Sequence, residues 1–143
     1  GLLHDIGKLV VAVQYPEKFS KVINEVQAAG IPMVEAERKI FEFDHTQVGS
    51  ALAVQWRFPM ETANMIGSHH LAEGAAPQRK DIAAVHIGNI LCMALELGTG
   101  GEKRLANVNA KAWELMGLTL SSIELVMEKT VKLYRDNTEI LEV

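Results

Sequence analysis

One cysteine, Cys92, stands in 143 residues, so an internal disulfide is excluded and a reducing compartment, the cytoplasm, is the expected setting. Its apolar neighbours mark it as a core residue rather than a nucleophile. Long apolar runs are missing: none approaches the ~20 residues of a membrane-spanning helix, so no membrane partner is expected. Concentrated positive charge is missing too. Net charge is −4, and Arg57, Arg79, Lys80, Lys103, Arg104, Lys132 and Arg135 are scattered along the chain, which argues against a nucleic-acid surface. There is no convincing strand, repeat, low-complexity run or internal linker. The glycine-rich stretch Gly98-Thr99-Gly100-Gly101 lacks the Lys-Ser/Thr ending of a phosphate-cradling loop and reads as a helix terminator and connector. An initiator methionine is also absent. Gly1 opens inside an apolar helical pattern, and the expectation is a fragment of a longer chain whose N-terminal helices and some functional residues lie upstream.

What is present is 48% hydrophobic residues with helical spacing, enough for one domain over residues 1–143 with a genuine core. The fold class is all-α, a multi-helix bundle. The spacing predicts a helix from Leu2 to about Val13, ended by Tyr15-Pro16, and a second through Phe19, Val22, Ile23, Val26 and Ala29, capped by Gly30. A short helix and a turn fit residues 33–43. Asp44-His45-Thr46-Gln47 forms a capping box, opening a helix with an inner face of Val48, Gly49, Leu52, Ala53 and Trp56. Met60 to about Leu71 is helical, and residues 73–78 are a loop. Asp81 caps an apolar helix to about Leu97 that should be central. Asn109 caps a short helix stopped by Gly117, and Ser121 with Glu124 opens the last helix, striped by Ile123, Val126, Met127, Val131 and Tyr134.

The chemistry-bearing residues are His4, Asp5, His45, His69, His70 and Asn89, which fall on expected inner faces. A carboxylate such as Asp5 is costly to bury unless a cation compensates it, and imidazole with carboxylate is a usual metal-ligand pairing. Neighbouring helical residues point about 100° apart, so His4 and Asp5 can reach two sides of one cluster, with Lys8 a turn further on. His45 falls at the N-terminal end of an inner face. His69 and His70 continue the stripe of Met65 and Ile66, and Asn89 is the polar residue deep inside the 81–97 pattern. Any one buried histidine is more often a hydrogen-bonded core residue than a ligand. Four on inner faces shift that balance toward a metal. His86 is read first as a core residue, with a hydrogen-bonding role behind a ligand, or exposure, as alternatives.

Gly1-Leu2-Leu3-His4-Asp5-Ile6-Gly7-Lys8, then Asp44-His45-Thr46-Gln47-Val48-Gly49-Ser50-Ala51-Leu52-Ala53 with Trp56 and Pro59, then His69-His70, resemble the HD superfamily, and most closely the HDOD domain of bacterial signalling proteins. The resemblance implies an HD-type helical bundle. In the catalytic relatives, metal-dependent phosphohydrolases and HD-GYP phosphodiesterases, an upstream His, the His-Asp pair and a late Asp hold one metal. A second site shares the Asp and adds downstream histidines. By that resemblance Asp5, His45, His69 and His70 match the second set. In the first set, the upstream His would precede residue 1 and the late acid falls on Asn89, which is neutral and a poorer ligand for a hard cation. A glycine-tyrosine-proline signature is missing, since Leu71-Ala72-Glu73-Gly74 stands there. Lys8 resembles the relatives' phosphate-binding lysine.

The resemblance therefore implies a bacterial signalling or output module with a divalent metal (Fe, Mn, Mg, Ni or Zn) and little or no hydrolase activity. Its partners would be other signalling domains or proteins, or a nucleotide. An active phosphohydrolase or phosphodiesterase and a purely structural helical domain are the competing readings.

Overall fold

The computed structural model describes residues 1–71, 79–97, 101 and 105–141. The predicted loop at 73–78 lies outside the described residues, as do Gly98, Thr99 and Gly100 of the glycine-rich connector. Among the described residues there are eight helices and no strand. They are α1 (Ile6–Gln14), α2 (Pro16–Ala29), α3 (Met33–Phe41), α4 (His45–Gln55), α5 (Met60–Ser68), α6 (Lys80–Ala94), α7 (Ala110–Met116) and α8 (Leu120–Leu141). No helix of the described residues is long and apolar enough to cross a membrane.

Helix boundaries follow local chemistry. Pro16 sits at the first position of α2, where its missing N–H is harmless, and Gly30 closes that helix in the left-handed conformation at φ 63°. At α4 both halves of the capping box form: the Asp44 carboxylate accepts from the Thr46 and Gln47 backbone N–H groups, and the Gln47 side chain accepts from the Asp44 N–H. The Asn109 side chain accepts from the Ala112 N–H, and Gly117 ends α7 at φ 62°.

Five local expectations are corrected. α1 begins at Ile6, so His4 and Asp5 precede the helix in a turn; Asp5 stands at the N-cap but makes no side-chain cap bond, because its carboxylate is drawn into the cluster described below. α5 ends at Ser68, which puts His69 and His70 on the bend beyond it. Trp56 is 56% exposed at the C-cap of α4, although its N–H still bonds the Leu52 carbonyl, just before Arg57 turns left-handed at φ 60°. Asp81 is inside α6, whose N-cap is Arg79; its carboxylate takes the Arg79 guanidinium and sits in the first turn, where the helix dipole favours a negative charge. At the start of α8 the reciprocal pair is Thr119 with Ser122, each side chain accepting the other's backbone N–H, rather than Ser121 with Glu124. Along α8 itself, Val126 and Tyr134 emerge at 40% and 47% exposed while Ile123, Met127 and Val131 are half-buried.

Packing gathers the apolar faces into three groups. Val11, Val22, Val26, Met33, Ala36 and Phe41 join α1, α2 and α3. Ala53, Ala63 and Ile66 join α4 to α5, and Ala83, Ile87 and Ala112 join α6 to α7. α6 lies against both α5 and α7. The approach that matters most for the site is α1 on α4, where Gly7 and Gly49 let the two backbones meet. A Cβ on Gly7 would stand 1.9 Å from the His45 carbonyl oxygen. Side chains larger than hydrogen would hold Asp5 away from His45.

Candidate metal centre

Asp5, His45, His69 and His70 each place one donor atom within 4.8 Å of the others. Three segments deliver them: the turn before α1, the first turn of α4 and the bend after α5. Asp5 Oδ1 lies 3.2 Å from His45 Nε2 and 3.4 Å from His69 Nε2. Tetrahedral donors about 2.1 Å from one ion stand about 3.4 Å apart, so these spacings already suit a shared cation.

The tautomers point the same way. The Nδ1–H of His45 donates to Glu37 Oε2 at 2.6 Å, that of His69 to the Ile66 carbonyl at 2.8 Å, and that of His4 to the Gly1 carbonyl at 2.7 Å. Each of these imidazoles thereby turns a lone-pair Nε2 inward. The Nε2 atoms of His4, His45, His69 and His70 and Asp5 Oδ1 are all buried without a hydrogen-bond partner. Acceptors facing acceptors in a buried cluster repel unless a proton or a metal ion stands between them.

His86 differs in kind. Its Nδ1–H donates to the His69 carbonyl at 3.0 Å and its Nε2 accepts from the Asn109 N–H at 3.2 Å, so both ring nitrogens are engaged. The reading of His86 as a core residue that supports the site, not a ligand, is the one this geometry favours: it ties the His69-His70 bend to the start of α7.

Charge is distributed unevenly over Asp5. Oδ1 faces His45 and His69, while Oδ2 receives the Lys8 ammonium at 2.8 Å and lies 3.5 Å from His4 Nε2. Burial alone would push the Asp5 carboxyl up, but the neighbouring His45 and His69 imidazoles and the charge of Lys8 hold it well below the usual carboxylate range. Burial also works against charge on His45, yet Asp5 and Glu37 on its two sides prevail and raise it. Burial pushes His70 down to about 2, helped by His69 and His45, and lowers His69 despite Asp5. His69 and His70 are thus neutral, the form a metal requires.

Of the sequence candidates, Asp5, His45, His69 and His70 are the four whose donor atoms converge. His4 and Lys8 stand on the other oxygen of Asp5. Asn89 is half-buried on α6. Sequence reasoning passed over Glu37, which is 1% exposed and backs His45. Its signal was its register: Met33, Ala36, Ile40 and Phe41 form the inward face of α3, and Glu37 is the one acid among them.

Comparison with known proteins agrees with this geometry. The sequence profile of the HDOD domain matches residues 1–72, the stretch that supplies all four donors. An uncharacterized protein of Treponema pallidum (strain Nichols) is 33% identical over 98 residues, which is 67% of this chain and 19% of that protein. A crystal structure of an HDOD domain protein with unknown function from Geobacter sulfurreducens is similar with a TM-score of 0.72 and 25% identity, covering 94% of this chain and 50% of that one. The chain therefore spans about a fifth of the length of the first relative and half of the second.

Proposed function

The chain belongs to the HDOD domain family, and from that premise we propose that it is a bacterial signalling output module that holds a divalent metal ion at Asp5, His45, His69 and His70, with little or no hydrolase activity. The observation that carries the metal is the set of buried, partnerless Nε2 atoms converging on Asp5 Oδ1. One carboxylate and three imidazoles suit Zn²⁺, Fe²⁺, Mn²⁺ or Ni²⁺ better than Mg²⁺, which prefers oxygen ligands. The weak hydrolysis rests on the neutral Asn89 where the catalytic relatives carry an acid. Partners, as signalling domains or proteins or a nucleotide, belong to the same proposal.

A second reading, hydrolysis of a phosphate ester, is favoured by Lys8, whose ammonium stands beside the cluster with its side chain 14% exposed. A bound ion would supply hydroxide at neutral pH by acidifying a coordinated water. In that reading Asp5 orients the attacking side and Lys8 meets a phosphoryl oxygen as a point charge.

Elemental mass spectrometry of the purified protein decides the first point. Stoichiometric divalent metal that is lost on His45→Ala supports the centre, and metal-free wild type after reconstitution with Mn²⁺, Fe²⁺ or Zn²⁺ refutes it. Cyclic dinucleotides and nucleoside phosphates incubated with the reconstituted protein decide the second. Robust turnover abolished by His69→Ala would replace the signalling reading with the hydrolytic one.

A further inference from the structure

The buried Glu37 is a group that the proposed donor set leaves without a task. Its Oε2 accepts twice from one residue, from the His45 ring Nδ1–H at 2.6 Å and from the His45 backbone N–H at 3.0 Å. Among the described residues the imidazole of His45 is its ion-pair partner, and its other oxygen, Oε1, is buried with no hydrogen bond. A carboxylate in that position is expensive to keep ionised for the sake of a neutral ring. The arrangement becomes favourable when positive charge sits on the far side of the imidazole, where Nε2 faces Asp5.

His45 is singular in this respect. The rings of His4 and His69 are backed by backbone carbonyls, those of Gly1 and Ile66, whereas His45 is backed by the side-chain carboxyl group of Glu37. A carboxylate behind an imidazole raises the basicity of its outer nitrogen more than a carbonyl does and locks the ring plane. Glu37 is also held firmly. It sits on α3 between Met33, Ala36 and Phe41, all in the core shared with α2, so it cannot swing away from His45.

We propose that Glu37 is a positioning residue of this centre, fixing the Nδ1–H tautomer of His45 and making His45 a stronger imidazole donor than the carbonyl-backed His69. The proposal rests on the metal-binding reading above. Glu37→Gln is the informative variant, because the amide oxygen can keep both hydrogen bonds while the charge is lost.

The probe is Co²⁺, titrated by visible absorption into the purified chain, with ¹⁵N NMR of the histidine rings alongside. Glu37→Gln is expected to weaken Co²⁺ about ten- to a hundredfold and to shift the His45 Nδ1–H proton upfield, with the fold retained by circular dichroism. Unchanged Co²⁺ affinity in a folded Glu37→Gln protein overturns the role of Glu37 and leaves the metal centre standing. A wild type that takes no Co²⁺ overturns the centre and Glu37 together. Should the variant not fold, the wild-type ring decides: a His45 ring protonated on Nδ1 supports the assignment, and an Nε2–H tautomer with a bare Nδ1 overturns it.

Discussion

Replacing Gly7 with alanine links helix packing directly to the centre. The new Cβ would stand 1.9 Å from the His45 carbonyl oxygen, 2.8 Å from its carbon and 2.9 Å from the Gly49 nitrogen. All three are backbone atoms, so no side-chain rotation relieves the clash. Recovering an ordinary 3.4 Å contact requires α1 to retreat from α4 by about 1.5 Å. Asp5 opens α1 and would move with it, taking Oδ1 from its present 3.2 and 3.4 Å to almost 5 Å from the His45 and His69 nitrogens. Overpacking of this kind costs about 1–3 kcal/mol, and for a chain of this size each kcal/mol lowers Tm by roughly 2–4 °C. Metal affinity should fall by about a hundredfold or more, since changes one shell further out already cost 10–100-fold. Thermal melts and metal titration of the variant measure both. Gly88→Ala is the control: among the described residues nothing lies within 4 Å of the added methyl, and it should leave metal binding intact and gain up to about 1 kcal/mol of helix stability. Wild-type metal affinity in Gly7→Ala would refute the claim that the backbone contact of α1 with α4 brings Asp5 to the histidines.

Asp44→Ala removes the acceptor for the Thr46 and Gln47 N–H groups and for the Arg38 guanidinium; the cap alone should cost about 1–2 kcal/mol in urea denaturation, and an unchanged midpoint would contradict it. In the metal-free protein, burial, with the neighbouring His69 and His45, holds His70 neutral down to about 2, whereas the unfolded chain takes up its proton near 6.5. That contribution to stability is therefore complete above pH 6.5 and is lost as the pH falls toward about 2. His70→Gln should flatten the acid side of a stability-against-pH curve, and an identical slope in both proteins would count against His70 being neutral in the fold.

Much of the helical framework was legible from local chemistry alone. Gly30, Gly117, Asn109 and the Asp44-Gln47 box act within one helical turn, so the residue types and their spacing suffice to place them. Where a cap slipped by two residues, from Asp81 to Arg79 or from Ser121 to Thr119, neighbouring polar groups competed for the same helix start and only the backbone path chose between them.

The sequence by itself determined that this chain is helical and that its histidines and Asp5 resemble a known metal-binding pattern. Tertiary structure decided which of them meet. It put Asp5 rather than His4 at the middle of the donor set, engaged both nitrogens of His86 in hydrogen bonds, and set Glu37 of α3 behind His45. Periodicity reports the direction of a side chain from its own helix axis, but a shared cation requires distances between separate helices. Those distances follow from how closely two backbones pack, and at Gly7 and Gly49 that closeness depends on the absence of a side chain on each of two helices that no local pattern connects.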